Sequence, residues 1–208
     1  MTEIKNNCEI FPLFPTPIYF SKLNRELTHE ELLIINKTKL DVYKNEGNTT
    51  SNENYILNNK SFKNLKEELD LKVQDYFNKI ICPAGSITPY ITQSWINFTE
   101  KNQYHHKHSH NNSFISGVFY INCDEKFDKI YFNKRDYERI SPKVKEYNVF
   151  NSSSWWFSVK TGNIILFPSS LEHKVETKET DNTRISLAFN VFIKGKIGDN
   201  KRLDELIL

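Results

Sequence analysis

The chain has 208 residues, 13% of them aromatic, with fifteen Phe and ten Tyr, which is enough bulky apolar surface to build the core of one domain. Its net charge of +2 is spread along the chain without a dense basic block, which argues against a nucleic-acid binder. There is no apolar run of membrane-spanning length and no secretory leader pattern, and the three cysteines (Cys8, Cys82, Cys123) form neither a disulfide framework nor a CxxC site, so a cytoplasmic, reduced protein is expected.

"EIFPLFPTPIYFSKL" (9–23) is apolar and punctuated by Pro12, Pro15 and Pro17, which disfavour helix and predict an extended first strand. "LTHEELLIINKTKLDVYKNEG" (27–47) predicts a helix opened by a Thr28–Glu31 capping box, with His29 exposed inside it and Gly47 as the stop. Residues 46–60 are polar and read as a loop. In "SFKNLKEELDLKVQDYFNKII" (61–81), Phe62, Leu65, Leu69, Val73, Phe77 and Ile80 recur at helical spacing, and Pro83 and Gly85 end the pattern.

From residue 86 the period changes to two. "ITPYITQSWINFTE", "NSFISGVFYINC", "DKIYFN", "SWWFSV", "NIILFP" and "RISLAFNVFIKG" read as short strands between turns, an all-β sandwich or barrel. The expected fold is mainly β: a jelly-roll core over 86–195, with the first strand and supporting helices over 1–85 and a C-terminal tail over 196–208, all in a single domain. In the last strand, Ile185, Leu187, Phe189, Val191 and Ile193 share an apolar face. Arg184, Ser186, Ala188 and Asn190 share the other, which is either solvated or lines a cavity mouth. The Trp155-Trp156-Phe157 run reads as packing, and the charged stretch 133–148 as a solvated excursion.

Four of the six histidines fall within "YHHKHSH" (104–110). In a strand, side chains at i and i+2 point the same way, so His108 and His110 can converge on one ion; His106 and His108 offer the same spacing one register earlier. A third ligand has to come from elsewhere. His173 follows the apolar strand "NIILFP" and is placed to supply it. Arg184 lies eleven residues beyond His173, a spacing that fits a hairpin through "KETDNT" and sets a guanidinium near the metal but not on it. A metal with an arginine behind it is a receptor for a small diacid. The plainer reading of Arg184 is a surface ion pair with Glu172 or Glu176, and that of the histidines is a surface loop.

"LFPTPIYF", "SWINFTEKNQYHHKHSHNNSFISGVFYIN" and "GNIILFPSSLEHKV…RISLAFNVF" together resemble a family of 2-oxoglutarate/Fe(II)-dependent oxygenases found in phages and marine bacteria, over roughly residues 10–195. The resemblance implies a double-stranded β-helix, cupin-like core, with Fe(II), 2-oxoglutarate and O2 as cofactor and co-substrates. It implies His108, His110 and His173 as metal ligands. It also implies Arg184, with Ser186 and Tyr120, on the distal carboxylate of 2-oxoglutarate; Asn97 and Gln93, which share a face of the preceding strand, are weaker candidates to line the pocket. The common ligand set of such enzymes is two histidines and a carboxylate; here His110 stands in the carboxylate position. The activity implied is hydroxylation of a substrate that the sequence does not name. Two other readings stay open: a three-His cupin-type dioxygenase that does not use 2-oxoglutarate, and a non-enzymatic metal-binding β-sandwich. The expected partners are 2-oxoglutarate and the primary substrate, without nucleic acid or membrane, and a homodimer through the helices is one arrangement such folds allow.

Overall fold

The computed structural model describes residues 8–134, 140 and 142–208. A helical layer is built first. Helix α1 (His29–Thr38) carries the expected capping box: the Thr28 side chain accepts from the Glu31 amide, and Glu31 accepts from the Thr28 amide. Glu31 is fully buried, and Arg25 closes on it with a two-pronged pair at 2.6 and 2.7 Å. Burial pushes the Glu31 carboxyl up, but Arg25 and the Thr28 amide outweigh it and hold it below its ordinary value. Helix α2 (Lys63–Tyr76) buries Leu65, Leu69, Val73 and Tyr76, each such side chain contributing about 1.5–3 kcal/mol.

Two boundaries differ from the sequence expectation. Helix α1 stops at Thr38 rather than running to Gly47. The following residues instead form a small hairpin whose strands add to the edge of a sheet, so tertiary pairing wins over helical period. Gly47 is the hairpin's turn residue at φ +89°, where a side chain would strike Tyr104. The C-terminal end of α2 widens into a π turn over Phe77–Ile81. The extra residue per turn rotates Ile80 off the stripe, and it is exposed while Phe77 is buried.

The strands are β1 (Tyr19–Lys22), β2 (Val42–Lys44), β3 (Thr49–Ser51), β4 (Thr88–Thr99), β5 (His105–His108), β6 (Ile115–Asn122), β7 (Lys129–Asn133), β8 (Ser154–Ser158), β9 (Asn163–Pro168), β10 (Glu172–Val175), β11 (Arg184–Lys194), β12 (Lys196–Ile197) and β13 (Leu206–Ile207). They form a seven-stranded sheet ordered β1-β9-β6-β11-β4-β3-β2 and a four-stranded sheet ordered β5-β10-β7-β8, with antiparallel ladders in both. The residues expected to be a tail pair as the β12–β13 hairpin. The polar stretch 46–60, expected as a loop, contains β3 and short 3-10 turns.

The large sheet has two different faces. Ile96, Phe98, Phe119, Ile164, Leu166, Leu187, Phe189 and Val191 pack in one core with the helices. Gly117 belongs to this face because the Phe189 ring fills the space a side chain would need. The alternate residues look at the small sheet, where Tyr120, Ile165 and Phe167 meet Ile130 and Phe132 in a second, smaller core. This is a jelly roll, and strand β9 is apolar on both sides because it is buried on both. Trp155 and Trp156, expected as packing, are 39% and 47% exposed, and Lys129 sits over the Trp156 ring at 4.0 Å. Within the charged stretch 133–148, residues 135–139 and 141 lie outside the described residues. Among the described residues no helix is long and apolar enough to cross a membrane.

Candidate metal centre

The cluster is assembled at the β5 edge of the small sheet. Strand β5 ends at His108, which pairs directly with His173 of β10. His110 lies just past the strand, in a turn rather than on the ladder. Its amide donates to Ser169 O at 3.0 Å, and Ser169 Oγ bridges Ser113 and Ser116 at 2.7 and 2.9 Å, fixing the turn against the end of β9. One ligand nitrogen from each of His108, His110 and His173 lies within 4.8 Å of the other two. The His108 and His173 rings are 4.3 Å apart, those of His110 and His173 stack at 5.2 Å, and the Phe167 edge holds His173 from below at 4.7 Å. Bonds of about 2.1 Å to a tetrahedral or octahedral ion would draw the nitrogens in by about 1 Å.

Second contacts select the nitrogens. Nδ1 of His108 is 2.8 Å from His106 O, and Nδ1 of His173 is 3.1 Å from Leu171 O. A carbonyl oxygen only accepts, so each Nδ1 carries its proton and each Nε2 keeps a lone pair for a metal. Burial, and then the neighbouring histidines, lower His173 to about 3 and His110 to about 4, and burial lowers His108 as well. All three are neutral near pH 7, as ligands must be. The residues therefore fit a borderline divalent ion such as Fe(II).

These shifts have a sign that can be checked. The ordinary histidine value is 6.5, so as pH falls the unfolded chain protonates before the native one. This contribution to the stability of the metal-free protein is complete above 6.5 and is lost as pH falls, toward about 4 for His110 and about 3 for His173, by about 1.4 kcal/mol per pH unit for each of these two. Urea melts across this range should show the decline beginning above the carboxylate range. A stability that stays flat until the carboxylates titrate would contradict the buried neutral state.

Behind the histidines lies a cavity of about 50 Å³ that also reaches Tyr120, Arg184, Ser186, Asn97, Thr99 and Trp95. The polar face of β11 therefore lines a cavity rather than solvent. Gln93, on the same strand as Asn97, is exposed and does not line it. Asn97 Oδ1 accepts from Thr50 Oγ1 at 2.9 Å. Tyr120 is buried, and burial raises its phenol above the ordinary value despite the Arg184 charge, so it stays a hydrogen-bond donor.

Arg184 is not reached by a hairpin from His173. Strand β10 is in the small sheet and β11 in the large one, so "KETDNT" crosses between sheets. Nor is Arg184 a surface residue paired with Glu172 or Glu176. It is 4% exposed, its Nη2 donates to Thr99 Oγ1 at 3.2 Å, and its Nη1 is 3.5 Å from Asp128 Oδ1. Buried Lys178 faces the same carboxylate oxygen at 3.6 Å. Two buried cations thus share one carboxylate at long range, which leaves a positive surplus beside the cavity. The sequence reading missed Asp128, Lys178 and Thr99. Asp128 sits one residue ahead of an apolar strand and Lys178 in an acidic turn, and nothing local marks either as buried.

Residues 93–190, a span that holds all three histidines and Arg184, match the family model described as "Putative 2OG-Fe(II) oxygenase". That span is just under half of the chain, and its likeness is to the 2OG-Fe(II) oxygenases. No curated protein matches it in sequence. Solved structures that share this jelly roll include the following three. HygX from Streptomyces hygroscopicus, with nickel, 2-oxoglutarate and hygromycin B bound, is 12% identical with a TM-score of 0.57, over 85% of this chain and 82% of that one. A Pseudomonas putida prolyl-4-hydroxylase is 9% identical with a TM-score of 0.52, over 84% and 92%. The non-haem α-ketoglutarate-dependent epimerase SnoN of nogalamycin biosynthesis is 9% identical with a TM-score of 0.57, over 85% and 78%. The family match favours the 2-oxoglutarate reading over the two others, the cupin-type dioxygenase without 2-oxoglutarate and the non-enzymatic sandwich.

Proposed function

We propose that this protein is a 2OG-Fe(II) oxygenase acting as a hydroxylase, that residues 1–208 act as one catalytic domain, and that His108, His110 and His173 hold its iron. The observation that carries the reading is the shared cavity, with three neutral histidines and a buried, under-compensated arginine lining one space. Bound there, Fe(II) with 2-oxoglutarate and O2 supplies the oxidising chemistry, and 2-oxoglutarate leaves as succinate and CO2.

The chain's own residues do the rest. Arg184 offers its fork to the distal carboxylate of 2-oxoglutarate, and Tyr120 and Ser186 add hydroxyl donors from the neighbouring strand and the same strand. Three histidines bring no negative charge to the metal. A dianionic co-substrate therefore compensates the ion at one end and the Arg184–Lys178 surplus at the other. Phe167, Ile130 and Val118 line the remaining wall and exclude water. The prolyl-4-hydroxylase of the same fold supports hydroxylation, while SnoN carries an epimerisation on it.

Succinate formation from 2-oxoglutarate, with Fe(II) and O2 but no primary substrate, tests the reading. Arg184→Ala should lower kcat/KM for 2-oxoglutarate by about 100-fold. Unchanged turnover in that variant would remove Arg184 from the site. Once a substrate is known, labelled O2 separates the outcomes, because a hydroxylase places one oxygen atom in the product and an epimerase places none there.

A further inference from the structure

His105 and His106 take no part in the proposed iron centre, yet they lie against it. The pairing of β5 with β10 sets His108 opposite His173 and His105 opposite Val175. Between those pairs β10 has only Lys174, while β5 has His106 and Lys107. The extra residue is a β-bulge, which breaks the strict alternation of side chains and re-aims them. As a result the rings of His105, His106 and His108 gather with centroids 5.4, 4.6 and 4.8 Å apart. One ligand nitrogen from each lies within 4.8 Å of the other two, as in the iron set. Nδ1 of His106 is buried and makes no hydrogen bond, and the carboxylate of Glu46 stands 3.9 Å from it. A buried ring nitrogen left without a partner is costly, and a bound cation near the cluster would relieve it.

We propose that His105, His106 and His108 form a second divalent-cation position, for ions that favour imidazole, and that it fills only at the expense of the iron centre. The exclusion follows from His108. A neutral imidazole has one lone pair, and the other ring nitrogen of His108 is committed to His106 O. His108 therefore serves one ion at a time. Nitrogen donor sets hold Ni(II), Cu(II) and Zn(II) more tightly than Fe(II). Zinc or copper seated there removes a ligand from the iron set without competing for 2-oxoglutarate.

The probe is Zn(II) alone, titrated by calorimetry into the metal-free full-length chain. The His110→Ala/His173→Ala double variant lacks the iron set but keeps the second. It should bind one Zn(II) per chain, and adding His106→Ala should weaken that binding more than tenfold. Circular dichroism checks the fold, and His110→Ala alone replaces the double variant if the latter does not fold. The unaltered protein should bind one Zn(II) in total. The proposal is overturned if the folded variant takes up no Zn(II), if His106→Ala leaves the uptake unchanged, or if the unaltered chain binds two ions. Failure of the iron reading is distinguishable, since it would show as absent Fe(II) binding by the unaltered protein while the variant titration still reports on the second position.

Discussion

His173→Ala is expected to weaken Fe(II) binding by more than about 100-fold while the fold survives. His173 is the one proposed ligand contributed by β10, on the far side of the sequence from the HxH pair, and it pairs in register with His108. Without it, two nitrogens face an ion that needs at least a third from the protein. The packing loss is small by comparison: the ring leaves contacts with Phe167 and Phe132, but a buried, neutralised polar group leaves with it. The melting temperature should therefore move by only a few degrees. Equilibrium dialysis followed by elemental analysis measures the occupancy. Full iron content in a folded His173→Ala protein would overturn the ligand assignment.

Asp128→Ala is expected to be the most destabilising single change near the site. Asp128 is 3% exposed and is the carboxylate that both Arg184 and Lys178 face. Its second oxygen accepts the Asp124 amide at 2.7 Å, so it is held in place from its own turn. Removing it leaves two cations buried without compensation, a loss of about 3–5 kcal/mol, or a drop of roughly 10 °C in Tm. Saturating 2-oxoglutarate supplies a carboxylate to Arg184, so it should raise Tm more in the variant than in the unaltered protein. Thermal melts with and without the diacid measure both effects. Equal shifts in the two proteins would place the diacid away from Arg184.

The fold was legible where burial imposes a period. Strands β4, β6, β7, β8 and β11 follow from alternation, β9 from a short continuous apolar run, and the stripe of α2 from helical spacing. The elements that carry the site were harder. Strands β5 and β10 have four residues each and are polar, so no period can develop, and they are strands because β10 pairs with β5 on one side and β7 on the other. The β2–β3 hairpin has no apolar alternation and exists as an extension of the β4 edge. His108, His110 and His173 could be grouped because HxH spacing is local and a third histidine is rare in this chain. Asp128 and Lys178 could not, because a charged residue in a turn carries no local sign of burial. The bulge that gathers His105 and His106 depends on the register between two strands far apart in sequence, which spacing alone does not encode.

The most direct test of the central claim is an anaerobic titration of the metal-free protein with Fe(II) and then 2-oxoglutarate, followed in the visible range. A charge-transfer band that appears only when both are present, saturates at one equivalent and is lost in Arg184→Ala is the predicted result. Iron binding without a band that depends on 2-oxoglutarate would contradict the account.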